Sequence, residues 1–131
     1  MNNEPITPEK MDALLRFLPL FDVPEREYVR ERADGYPVYH DDVRAFFGLL
    51  ASESCWMDYD YRPSEAAHLL ADDAFVARAR LDDLRTMLTY CLRGERFGDG
   101  FWETILRPTE GRPSRVVALL RRLKAIRDEL E

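Results

Sequence analysis

Arg93 and Arg96 stand just before Gly98-Asp99-Gly100, and Phe101 begins the next apolar run. A glycine-bearing loop that opens a helix can turn backbone N–H groups toward an anion, and the helix dipole favours negative charge there. Arginine suits such a place because its planar fork gives a carboxylate or phosphate two parallel hydrogen bonds. Arg93, Arg96, Gly98 and Gly100 are therefore the candidate anion-binding residues. The segment also reads as a capped turn. In that reading the glycines supply positive φ, Asp99 caps the following helix, and the arginines pair with carboxylates of the chain. No Gly-Lys-Ser/Thr follows, so this is not a phosphate-binding P-loop.

Asp58 and Asp60 are the candidate structural partners for those guanidinium groups, Arg96 first. They lie in Trp56-Met57-Asp58-Tyr59-Asp60-Tyr61, where an extended backbone would put the two carboxylates on one side and the two tyrosines on the other. Paired carboxylates can do acid–base work or hold a divalent cation. The same run also reads as an aromatic hinge packed on the core.

Other chemistry finds little support. His40 and His68 have no H-x-x-x-H or H-E-x-x-H neighbour, and a zinc site would need them to converge with Cys55 and Cys91 from four separate elements. No metal site and no cofactor are expected. Cys91 falls on an apolar helical stripe and reads as core. Cys55 would need a base to act as a nucleophile, and no serine sits in a G-x-S-x-G context. The last helix carries Arg115, Arg121, Arg122, Lys124 and Arg127 on its outer face. A basic helix can lie on nucleic acid or on an acidic partner. Asp128, Glu129 and Glu131 dilute that pattern, and basic residues near a helix C-terminus also complement its dipole.

The elements that must position these residues are mostly helical. Thr7-Pro8 opens a helix over 8–18 with Met11, Leu14, Leu15 and Leu18 on one face, and Pro19 ends it. Residues 25–33 suggest a short helix and 36–39 an extended stretch. Asp41-Asp42 opens a helix whose core face is Val43, Phe46, Phe47 and Leu50. Short helices follow over 63–71 and after Asp72 or Asp73. Residues 81–93 form a longer one, with Leu81, Leu84, Leu88 and Cys91 in a stripe and Gly94 as its stop. Residues 101–107 form another, ended by Pro108. Ser114 caps the last, whose stripe is Val116, Leu119, Leu120, Leu123, Ile126 and Leu130. The expected fold is all-α, five to seven helices in one domain over 1–131, with room for one short extended pair at 36–39 and 56–61.

The run Leu81-x-x-Leu84-x-x-x-Leu88-Thr89-x-x-x-Arg93-x-x-Arg96-Phe97-x-x-Gly100, followed by Val117-x-x-Leu120-Arg121-Arg122-Leu123, resembles a family of small prokaryotic proteins catalogued as a domain of unknown function. Tyr59-Asp60-Tyr61 with Pro63 is similar to that family's middle segment. The connection from Arg107 to Ser114 is longer than the resemblance leads one to expect, and Gly98 stands where similar sequences often have cysteine. The resemblance implies no activity, cofactor or substrate. It points to Arg93, Arg96 and Gly100 as residues to watch.

Composition sets the remaining limits. The chain has 131 residues, 46% hydrophobic and 34% charged, which suits a globular domain and not a disordered one. Its apolar runs are too short for a membrane span, and its first residues lack the pattern of a secretory signal, so a cytoplasmic protein without membrane contact is expected. Net charge is −6. Residues 1–75 carry 7 basic and 16 acidic side chains, and residues 76–131 carry 12 basic and 9 acidic. An acidic chain is not a general nucleic-acid binder. The first functional reading is a non-catalytic module that binds a protein partner or itself. A homodimer is suggested by the long stripe of the last helix and by the charge asymmetry. The alternatives are an anionic small ligand, with or without catalysis, at the Arg93/Arg96 loop, and nucleic acid along the C-terminal helix.

Overall fold

The structure is a computed structural model that describes residues 4–95, 99–109 and 111–130. Helix α1 (Pro8–Leu15) starts as its sequence dictates: the Thr7 hydroxyl accepts the Lys10 N–H, and Pro8 occupies the first turn. Pro19 does not begin a loop. It sits in the first turn of a four-residue helix, α2 (Leu18–Phe21), where its missing N–H costs nothing.

Residues 25–33 are not a helix. Strand β1 (Val29–Ala33) pairs antiparallel with β2 (Tyr36–Tyr39), with Ala33 opposite Tyr36, Val29 opposite Tyr39 and an irregularity between Val29 and Glu31. Asp34 and Gly35 join them at φ of 52° and 84°. Two positive φ values in a two-residue loop match the twist of a hairpin, and Asp-Gly is among the pairs that adopt them readily. The extended stretch at 36–39 therefore finds its partner across this turn and not at 56–61, which holds a 3₁₀ turn (Ser54–Trp56) followed by loop.

The remaining elements are α3 (Asp41–Ser52), α4 (Pro63–Leu70), α5 (Asp73–Ala77), α6 (Leu81–Arg93), α7 (Phe101–Leu106) and α8 (Arg115–Glu129). Among the described residues, seven helices of five or more residues and one short hairpin make a mostly helical fold. Asp72 caps α5 by accepting the Phe75 N–H, the Asp83 carboxylate accepts the Arg80 N–H ahead of α6, and the Ser114 hydroxyl caps α8 by accepting the Val117 N–H. One hydrophobic cluster runs from Met11 to Leu123 and takes in the expected faces of α3, α6 and α8. The α8 stripe that suggests a dimer lies inside this core: Val116, Leu119, Leu120 and Leu123 are buried, and only Leu130 at its end is exposed. Among the described residues no helix is long and apolar enough to cross a membrane.

Candidate functional site

Arg96 and Gly98, two of the four anion-binding candidates, lie outside the described residues. Of the others, Arg93 ends α6, is exposed, and lies over the Tyr61 ring at 5.8 Å. Gly100 stands before α7 at φ +84°, a conformation that favours glycine. The N–H groups at the start of α7 already have acceptors within the chain. The Asp99 carboxylate takes that of Phe101 at 3.0 Å, and Glu95 takes that of Trp102 at 2.9 Å. Glu95 also accepts the Tyr39 hydroxyl at 2.9 Å. Burial, reinforced by this carboxylate, pushes the Tyr39 phenol well above its usual range. Two internal carboxylates thus occupy the positive end of the helix, where an external anion would otherwise bind. Gly94, read as the stop of α6, caps its C-terminal end at φ of −72°. Its role is space: a Cβ there would lie 2.2 Å from the Phe101 ring.

Asp58 and Asp60 do not form an extended carboxylate pair. One Asp58 oxygen accepts the Asp60 N–H at 3.0 Å and the other the Thr86 hydroxyl at 2.7 Å. Thr89, buried on α6, accepts the Asp58 N–H, and its single O–H lies between the Arg85 carbonyl at 2.9 Å and the Trp56 carbonyl at 3.2 Å. These bonds fasten the aromatic segment to α6, with Trp56 buried and Tyr59 exposed. Asp58, Asp60, Glu65 and Asp83 border a cleft of about 240 Å³. Among the described residues no three His, Cys, Asp or Glu side chains are grouped as a metal site. His68 is exposed on α4, and His40 precedes α3. Both cysteines are buried and free. Burial raises both thiols, Cys91 to about 12, so neither is a ready thiolate.

The basic face of α8 divides among internal partners. Arg121 binds Asp22, with contacts as short as 2.9 Å. Arg127 binds Asp12 at 3.0 Å, and Lys124 binds Asp128 one turn on. Arg115 joins Arg112 on Asp73 at 2.6 and 2.8 Å, which ties α8 and the preceding turn to α5. Their hydrogen bonds, Arg112 first, hold the Asp73 carboxyl at about 2, below its ordinary 3.8. A depressed folded-state value contributes stability above the unfolded value and loses it as pH falls. The wild-type urea midpoint is therefore expected to fall between about pH 4 and pH 2. Asp73→Asn should be less stable than wild type at neutral pH and converge with it near pH 2. Parallel profiles across that window would show that Asp73 is not linked to folding.

Between α5 and α8 runs an open groove of about 350 Å³. Its walls include Val76, Ala77, Pro113, Ala118 and Ala125, and Arg121, Arg122 and the arginine-paired Asp73 also line it. On α8 the residues Ala118, Arg121, Arg122 and Ala125 follow the i, i+3, i+4, i+7 spacing of a single helical face, offset from the core stripe. The two alanines leave the space and the two arginines border it. Arg122 is held there because its Nε donates to the Ala79 carbonyl at 2.8 Å. Sequence reasoning assigned these arginines to the outer surface of the helix but missed the groove. The readable signal was Ala-x-x-Arg-Arg-x-x-Ala, small residues one helical turn to either side of the arginine pair.

Fold and groove together define a small helical domain with one hairpin and a surface concavity built on its last helix. The chain belongs to a family of unknown function (DUF6508), whose family model matches residues 6–129. No curated protein matches it, and no solved structure does.

Proposed function

We propose that this chain is a non-catalytic binding module that docks a segment of a partner protein in the groove between α5 and α8. The observation that carries this reading is the groove itself. It is an apolar concavity of about 350 Å³ whose alanine walls admit a large side chain and whose edge holds arginines. Interfaces draw their energy from a few anchors that fill such pockets, with polar groups at the rim excluding water and setting register. The fastenings of the other reactive groups agree with this. Glu95, Asp58 and Asp73 each hold a structural partner, and both thiols are buried.

The test uses Ala77 and Ala125, which line the groove yet are exposed, so that tryptophan at either position fills the groove without entering the core. A protein that copurifies with wild type is identified, expressed and titrated against wild type, Ala77→Trp, Ala125→Trp and the distant control Tyr59→Ala. The reading expects both tryptophan variants to bind at least tenfold more weakly and the control to bind unchanged. Equal affinity for all four proteins would overturn it.

A further inference from the structure

We infer that the partner segment is acidic and amphipathic, and that one of its carboxylates docks on Arg122 beside an apolar anchor seated among Ala118, Ala125 and Val76; this rests on the groove being the docking surface. Arg122 is pre-set for such a contact. Its Nε is fixed on the Ala79 carbonyl, so the guanidinium plane is set in advance. Its two terminal amino groups make no hydrogen bond to the described residues. An immobilised fork with both ends available is the geometry that takes a carboxylate through two parallel bonds. Because the side chain is half-buried in an apolar wall, little ordering remains to be done when the partner arrives.

The surrounding charge has the same sign. Arg112 and Arg115 share one carboxylate, Asp73, while Arg121 is matched by Asp22. Of the charged residues that line the groove, Arg121 and Arg122 are thus set against one carboxylate, Asp73, which Arg112 and Arg115 already hold. This excess favours an acidic segment and repels a basic one. The apolar walls require that the segment also carry large aliphatic side chains, spaced along one face, which is the pattern by which amphipathic helices enter grooves.

Fluorescence anisotropy with labelled helical peptides of about 16 residues tests this. The peptides share one leucine face and carry Glu, Gln or Lys on its flanks. Wild type is expected to bind the Glu peptide at least tenfold more tightly than the Gln peptide, with the Lys peptide weakest. Arg122→Met should erase the preference for Glu over Gln, and Ala125→Trp should weaken every peptide. Should Arg122→Met not fold, the three peptides on wild type decide alone. Equal binding of the Glu and Gln peptides, or tighter binding of Lys, would overturn the acidic partner while sensitivity to Ala125→Trp kept the groove as a docking surface. Absence of binding by all three would overturn the inference, leaving the groove to the titrations with the copurified protein. Two further results would replace the proposed occupant: decanoate displacing the Glu peptide at lower concentration than unlabelled peptide does, or self-association in sedimentation that Ala125→Trp abolishes.

Discussion

Phe46→Ala is expected to destabilise the protein by about 3–5 kcal/mol, the usual cost of emptying a buried phenylalanine site. Phe46 is wholly buried on the inner face of α3. Its ring meets Phe17 at 5.4 Å, Phe21 at 5.2 Å and Phe47 at 5.0 Å, each edge to face. Edge-to-face contacts add to area burial because the positive ring edge meets a negative face. The ring holds the α2 region against α3, and Phe21 also accepts the Tyr28 hydroxyl through its carbonyl. Removing it opens a cavity where several elements join. Against a total stability of about 5–15 kcal/mol for a domain, the variant should show a large fall in urea midpoint. Phe46→Leu, which retains more of the volume, should lose less. A loss below about 1 kcal/mol for Phe46→Ala would mean that this aromatic cluster does not organise the core.

The second large effect is at Arg85, which lies on α6 with only 6% of its surface exposed. Its Nε donates to the Cys55 carbonyl at 2.8 Å and one Nη to the Glu4 carbonyl at 2.9 Å. The other Nη meets Asp82 at 2.9 Å, but that carboxylate is 87% exposed. The Cys55 carbonyl bond, made in the interior, therefore matters more than the part-buried bond to Glu4 or the ion pair with exposed Asp82. Arg85→Met keeps the stem and removes the donors, and is expected to cost about 2–4 kcal/mol because hydrogen bonds from a charged group are lost and a buried acceptor is left without its donor. Asp82→Asn should cost less than about 1 kcal/mol, as exposed ion pairs do. Equal losses for the two variants would show that the ion pair is the important contact.

What could be read from the residues follows from how local the cause is. The faces of α3, α6 and α8 were legible because apolar spacing within one helix decides them. The hairpin was not, since β1 is mostly exposed and reads Val-Arg-Glu-Arg-Ala, with no alternation to betray a strand. The Asp34-Gly35 turn was the available signal. Nothing local marks Arg85 as buried, because its burial depends on the 3₁₀ turn thirty residues earlier in the chain. Gly94 ends α6 as its sequence suggests, but the constraint on it comes from the Phe101 ring and not from its own dihedral. Part of the anion-site reading also had a local basis. The caps of α7 are formed by Asp99, as that reading's structural alternative held, and by Glu95, whose side chain no motif marks. The groove is the least local feature of all, because the α8 face that becomes concave is decided by where α5 packs.

Hydrogen exchange tests the docking surface most directly. The purified copurifying protein, or the Glu-flanked peptide at saturating concentration, is added and amide exchange is followed across the chain. The account predicts slowed exchange in α5 and along α8 from Ala118 to Ala125, absent in Ala125→Trp. Protection confined to the β1–β2 hairpin or to the Asp58–Tyr61 segment, with α5 and α8 unchanged, would contradict it.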